Sequence, residues 1–123
     1  MAFRFERLEI WNLAIDFASH VYEVTEDFPR SEVFGLRSDI RRAGNSVPLP
    51  YAICHEQSVR IAYGVLLMTN DRIEEVVTGM AIALKRRYVP TADYRAIYDE
   101  AEVLAKKLTR FQATLTPSPK GEA

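Results

Sequence analysis

The strongest constraint on the fold is a heptad repeat in the second half of the chain. Apolar or small side chains return there at alternating steps of three and four residues, which is typical of a long α-helix packed along one side. Lys85, Arg86 and Arg87 suit the negative end of this helix, and Val89-Pro90 marks the turn that follows it. The repeat consists of Val59, Ala62, Leu66, Thr69, Ile73, Val76, Met80 and Ala83.

Three further segments carry helical stripes. The first segment has two of them, Leu8, Trp11, Ile15, Ala18 and Tyr22 beside Ile10, Ala14, Phe17, Val21 and Val24. Phe28-Pro29 ends this helix, and Ser31 is the expected N-cap of the second. The stripes of the second and fourth segments are Val33, Leu36, Ile40, Ala43 and Val47, and Tyr94, Ile97, Ala101, Leu104, Leu108, Phe111 and Leu115.

Four amphipathic segments in a chain of 123 residues predict a single domain. We expect an all-α fold, an antiparallel up-down-up-down four-helix bundle over residues 1–115. The second helix should kink or break between Gly44 and Pro50, because proline removes a backbone donor and clashes with the preceding turn. Residues 116–123 are rich in proline and polar side chains and are expected to form a disordered tail.

The first and third helices are apolar over a wider arc than one bundle core requires. The two stripes of the first helix together span about 200°. Monomers rarely expose such surface, so we predict self-association, with a monomer of unusually wide core as the alternative. Periodicity does not decide which seam faces inward. We assign to the oligomer interface Ile10, Ala14, Phe17, Val21, Val24, Ile61, Val65 and Met68.

Charge limits the kind of partner. With 16 basic and 17 acidic residues the chain lacks the basic excess of a dedicated nucleic-acid binder, so any such contact must use a local patch. In a monomer the basic sets are interpreted as solvated faces and helix-end charges, whereas a symmetric ring would repeat each set around its axis. The candidate nucleic-acid-binding residues are Arg37, Arg41, Arg42, Lys85, Arg86, Arg87, Lys106, Lys107 and Arg110.

Catalytic and metal-binding patterns are incomplete. Asp16, His20 and Glu23 share a helix face, but they belong to one helix and are interpreted as a solvated surface. Cys54, His55 and Glu56 are adjacent, so on a helix they point in different directions. We predict a protein that is not an enzyme and has no metal or cofactor. The single cysteine and the absence of an apolar run of about 20 residues predict a cytoplasmic protein outside the membrane.

A set of short motifs resembles a known family. The motifs are Leu8-Glu9-Ile10-Trp11, Tyr22, Phe28-Pro29, Phe34-Gly35-Leu36, Ile40-Arg41-Arg42-Ala43, Ser46-Val47-Pro48 and Tyr88-Val89. Their order and spacing from about Phe5 to Phe111 resemble the four-helix bundle family associated with intervening sequences in bacterial 23S ribosomal RNA genes. The resemblance implies a kinked second helix, a ring-shaped homopentamer and a non-catalytic role beside RNA, DNA or a reverse transcriptase, as in the similar accessory variability proteins of diversity-generating retroelements.

The chain departs from the family pattern at two places. Residues 49–54, Leu-Pro-Tyr-Ala-Ile-Cys, stand where the family usually has Ser-Asn-Ile-Ala-Glu-Gly, and Asp71-Arg72 replaces a common Gly-Ser pair. Our first hypothesis is a non-enzymatic homo-oligomeric scaffold for a nucleic-acid or ribonucleoprotein partner. The second is a purely structural or protein-interaction module without nucleic-acid binding.

Overall fold

The described part of the chain forms four α-helices in a computed structural model. The structure describes the backbone of residues 8–48 and 59–115, and the side chains of residues 8–48 and 68–113. The helices are α1 (Glu9–Val24), α2 (Leu36–Asn45), α3 (Val59–Lys85) and α4 (Thr91–Leu115), with a 3₁₀ turn at Arg30–Glu32. No strand occurs in these ranges, which confirms the predicted all-α bundle.

Each helix packs against two neighbours. α1 contacts α2 and α4, and α3 contacts the same two helices from the other side. Lys107 of α4 binds Glu9 at 2.9 Å, and His20 of α1 contacts Glu100 nearer the start of α4, so these two helices run in opposite directions. The up-down-up-down order of the whole chain and the kink or break between Gly44 and Pro50 stay predictions, because residues 49–58 lie outside the described ranges.

The heptad stripe of α3 lines the core from its midpoint onward. Each of its members from Thr69 to Ala83 is at most 3% exposed. The helical spacing of α4 is confirmed in the same way, because the stripe residues at its centre are buried against α3 and α1. The buried residues of these two stripes are Thr69, Ile73, Val76, Met80, Ala83, Ile97, Ala101, Leu104 and Leu108.

The assignment of one stripe of α1 to the oligomer interface is wrong. The five residues placed on it, Ile10, Ala14, Phe17, Val21 and Val24, are all buried in the core of a single chain. The reason is the rotation of α1, which turns this stripe toward α2 and α4, with Val21 directly against Gly44.

The other stripe of α1 is partly exposed instead. Ile15 and Tyr22 are exposed to solvent, whereas Ala18 is buried. Met68, the one interface residue of α3 whose side chain is described, is also exposed. Ile61 and Val65 lie outside the residues whose side chains the structure describes. Apolar surface beyond one core therefore exists, but on the neighbouring stripe of α1 and not on the one expected.

α2 and α3 approach each other closely at Gly79. A Cβ atom placed there would lie 2.5 Å from Cγ1 of Ile40, far inside ordinary carbon contact. Ile40 is buried, so it has little room to move away. A residue without a side chain is thus required at this crossing.

None of the helices in the described part of the chain combines the length and the apolar character needed to cross a membrane.

Candidate nucleic-acid interface

Two of the three basic sets lie at the same end of the bundle. They are joined by Glu32, whose carboxylate accepts hydrogen bonds from the Leu36 backbone N–H and from the Tyr88 hydroxyl, each at 3.0 Å. Phe28 packs beside Tyr88 with ring centroids 5.5 Å apart. These contacts tie the α1–α2 connection, which leads into Arg37, to the α3–α4 turn that follows Lys85, Arg86 and Arg87.

The same contacts explain the local sequence. Glu32, rather than Ser31, satisfies the first backbone donor of α2, because a 3₁₀ turn precedes the helix. A Cβ on Gly35 would come within 2.7 Å of Glu32 Oε1, so glycine leaves room for this carboxylate. The Leu36 N–H, the Tyr88 hydroxyl and the nearby Arg86 charge lower the pKa of Glu32 below its ordinary value.

Lys85, Arg86 and Arg87 are all exposed and are held by the end of α3. Tyr88 N–H donates to the Ala83 carbonyl at 2.8 Å and Arg87 N–H to the Leu84 carbonyl at 3.0 Å. This is the hydrogen-bond pattern of a Schellman motif, in which one residue takes the left-handed conformation. Arg87 is that residue, with a φ of 63° at a position where glycine is the usual choice.

Arg41 belongs to the packing of α1 against α2. Its Nε donates to the buried hydroxyl of Thr25 at 2.8 Å, and its terminal nitrogen donates to the Tyr22 carbonyl at 3.0 Å and to Glu26 at 3.2 Å. The guanidinium also stacks 4.5 Å from the centroid of the Tyr22 ring. With only 15% of its side chain exposed, Arg41 caps the end of α1 and is not free for a partner.

The other two arginines of α2 are more accessible. Arg42 has 73% of its side chain exposed and makes one weak pair, at 3.4 Å, with Asp39. Arg37 is half-buried and lines a hollow beside Arg41 and Asn45.

The third basic set lies at the other end of the bundle. Lys107 binds Glu9 at the start of α1, whereas the Arg41 contacts are at the end of α1, about 22 Å away along the helix. Lys106 and Arg110 are exposed. The structure thus brings the start of α2 next to the α3–α4 turn and leaves the α4 set apart.

An exposed aromatic residue lies next to the α2 arginines. Phe34 is 97% exposed, in the connection that leads into α2. It borders a hollow of about 390 Å³ lined also by Tyr22, Val33 and Arg37. Periodicity does not point to Phe34, because it falls off the apolar stripe of α2. The available signal is its place between the stripe residue Val33 and Gly35.

The candidate catalytic and metal patterns are separated or outside the described residues. His20 hydrogen-bonds to Glu100 of α4 instead of joining Asp16 and Glu23 in a site. Among the described residues no group of three His, Cys, Asp or Glu side chains is placed to hold a metal ion. Cys54, His55 and Glu56 lie outside the described ranges, as does the altered segment 49–54.

The second departure from the family pattern lies in the groove between α2 and α3. Asp71 and Arg72 line this groove of about 1020 Å³ together with Asp39 and Arg42. Arg72 forms a 2.8 Å ion pair with Glu75 one turn along α3. Asp71 and Arg72 therefore place charged side chains on this groove, where Arg72 pairs with Glu75 and Arg42 with Asp39.

Comparison with known proteins identifies the family. No curated protein matches the chain. The family model described as 23S rRNA-intervening sequence protein matches residues 6–110. Since the match spans nearly the whole described bundle, the chain belongs to the 23S rRNA-intervening sequence protein family.

Proposed function

We propose that this protein is a non-enzymatic homo-oligomeric scaffold, a pentamer as the family resemblance implies, that contacts a nucleic acid or ribonucleoprotein in the cytoplasm. Lys85, Arg86 and Arg87 supply the contact to the phosphate backbone. The observation that carries this proposal is the exposure of three consecutive cations on a fixed turn at one end of the bundle.

The charges of this turn are largely uncompensated. Lys85 and Arg87 form no ion pair with another described residue, and only Arg86 lies near the carboxylate of Glu32. Cations of this kind displace counterions from a phosphate backbone, which is the main source of sequence-independent affinity. Glu32 also ties this turn to the start of α2, where Arg37 follows Leu36, so a backbone passing this end meets further positive charge.

The conformation of Arg87 supports a role beyond folding. A side chain with a Cβ destabilises the left-handed conformation by about 1 kcal/mol relative to glycine. Strain of this kind is characteristic of positions that serve binding. Arginine at such a position adds a third exposed cation to the turn, which favours a use for its charge.

Self-association would repeat the weakly binding α3–α4 turn on every copy of the chain. The net charge of one copy is only -1, so a single turn gives modest affinity. In a closed ring each copy presents the same three cations around one axis, which together attract a polyanion more strongly than one copy does. Native mass spectrometry at micromolar concentration tests this part, and a monomer there would contradict it.

A matched pair of variants tests the nucleic-acid contact. Lys85→Gln with Arg87→Gly removes two charges from the α3–α4 turn, and the glycine favours the native backbone, so unfolding does not explain a loss of binding. Lys106→Gln with Arg110→Gln removes two charges from the opposite end. Binding to structured RNA is measured as a function of salt. The slope of log affinity against log salt should fall by roughly 1.4 to 1.8 for each contacting copy in the first variant and stay unchanged in the control.

The second candidate function is a structural or protein-interaction module. It is favoured by the pairing of several basic residues within the chain, notably Arg41 with Glu26 and Lys107 with Glu9. Under this alternative the wild-type protein shows no salt-dependent binding to RNA or DNA, and both charge variants behave like the wild type.

A further inference from the structure

We propose that the exposed Phe34 of one copy inserts into a hollow between α1 and α4 of a second copy. The knob consists of Phe34 with the neighbouring Arg37 and Arg42. The proposal rests on the self-association argued above and assigns to it a specific, asymmetric contact.

The knob has the properties of an interface anchor. Phe34 is 97% exposed, whereas every other described phenylalanine is buried or half-buried. A phenyl ring offers a large apolar area with few rotatable bonds, and such residues dominate binding when they fill a pocket. Because Phe34 makes little contact with its own chain, nothing in the described bundle requires a ring at this position.

The hollow has the size and lining for this ring. It has a volume of about 370 Å³ and is lined by Leu13, Val103 and Leu104, with Asp16, Asp99 and Glu100 among its charged members. Cavities of about 150 Å³ with apolar walls take up benzene, so an open hollow of this size accommodates a phenyl group. Val103 is 47% exposed, which leaves an apolar wall accessible.

Charge complementarity selects the hollow as the partner of the knob. Arg37 and Arg42 line the hollow that Phe34 borders, while Asp16 and Asp99 form no ion pair with another described residue. Docking of Phe34 against Phe34 of another copy would bring arginines together. Docking into the hollow brings arginines to carboxylates, which favours correct partners and fast association.

The two surfaces belong to different parts of the molecule. Phe34 lies in the connection before α2, near the end tied by Glu32 and Tyr88, whereas the hollow lies beside the His20–Glu100 contact of α1 and α4. A contact between two unlike patches is heterologous, so it repeats from copy to copy and yields a closed ring or an open filament. It does not yield an isolated symmetric dimer.

Two complementary variants test the contact. Phe34→Ser removes the knob and keeps the hollow, and Val103→Asp blocks the hollow and keeps the knob. Sedimentation velocity should show each variant alone dissociating at a protein concentration at least roughly thirtyfold above that of the wild type, with unchanged helical circular dichroism. A mixture of the two should form a 1:1 heterodimer, because one intact knob meets one intact hollow. Ile82→Asp is the control for Val103→Asp, because Ile82 of α3 is as exposed as Val103 (47%), and this variant should assemble like the wild type.

The outcomes separate this inference from the proposed function. A wild-type chain that is monomeric overturns both. A wild-type oligomer that persists in Phe34→Ser overturns the knob and leaves self-association standing. If Phe34→Ser still assembles but loses RNA binding, the ring is a stacking platform for a base, and the docking proposal is wrong. Absence of the heterodimer in the mixture would mean that the contact is not heterologous.

Discussion

Substitution of Gly79 by alanine should destabilise the bundle although alanine is the better helix former. The new Cβ would lie 2.5 Å from Cγ1 and 3.1 Å from Cδ1 of Ile40. Carbon atoms in contact prefer about 3.5 Å or more, so the overlap is about 1 Å. Ile40 is 1% exposed, and the strain must therefore be relieved by separating α2 from α3.

The magnitude follows from two opposing effects. Overpacking of a core costs about 1–3 kcal/mol, and the upper half of that range applies where a buried side chain has nowhere to move. Replacement of glycine by alanine within a helix stabilises the folded state by about 1 kcal/mol through helix propensity. We expect a net loss of about 1–2 kcal/mol in the free energy of unfolding, measured by urea titration of the helical signal at a fixed protein concentration.

Gly44 provides the matched control. A Cβ there would lie 3.5 Å from both γ-carbons of Val21, which is ordinary contact. Gly44→Ala should thus stabilise the protein by about 0.5–1 kcal/mol, because only the effect on helix propensity remains. The two substitutions are chemically identical and should shift stability in opposite directions.

A double-mutant cycle identifies the cause. In an Ile40→Ala background the obstructing atoms are gone, so Gly79→Ala should become neutral or stabilising, with a coupling energy of about 2–3 kcal/mol. An equal loss in both backgrounds would refute the steric argument. So would stabilisation by Gly79→Ala in the wild-type chain.

Three further predictions concern the ends of the helices. Arg87→Gly should raise the free energy of unfolding by about 0.5–1 kcal/mol in urea titrations, whereas Arg87→Ala, which keeps a Cβ, should not. Arg41→Met should lower the free energy of unfolding by about 1–3 kcal/mol, because the Tyr22 carbonyl and the buried Thr25 hydroxyl lose their donor. Arg42→Met, at an exposed site, should change it by no more than about 0.5 kcal/mol. Equal effects of the two substitutions would contradict the capping role of Arg41. The pKa of Glu32 is lowered on folding, so its stabilisation is complete above its ordinary value of 4.5 and is lost as the pH falls through the folded-state pKa. Glu32→Gln should therefore be less stable than the wild type at neutral pH, and the difference should shrink below pH 4.5 in thermal melts across that range.

The sequence predicts the helices and much of the core because these depend on local periodicity. The stripe of α3 from Thr69 to Ala83 and that of α4 from Ile97 to Leu108 are buried as their spacing indicates. Phe28-Pro29 and Val89-Pro90 mark connections for a reason equally local, the steric effect of proline on the preceding residue. The family follows from the order of such motifs along the chain and is confirmed over residues 6–110.

The basic residues of the candidate site were predictable from the sequence, but which of them lie together was not. Nine basic residues can be identified from the sequence, whereas their availability depends on partners from other helices. Arg41 donates hydrogen bonds to Tyr22 in α1 and to Thr25 and Glu26 just after it, and Lys107 donates one to Glu9. Such pairs join residues that are far apart in sequence, and no spacing rule predicts them.

Rotation of α1 about its own axis is the feature that only the tertiary structure decided. Its two apolar stripes have the same spacing and similar hydrophobicity, so a single helix gives no basis for choosing between them. The choice depends on how closely α1 can approach its neighbours, and the small residues Ala14 and Gly44 permit close packing on the stripe that contains Phe17 and Val21. The sequence alone thus determined that α1 is amphipathic over a wide arc. Packing against α2 and α4 determined which side became core and left Ile15 and Tyr22 exposed.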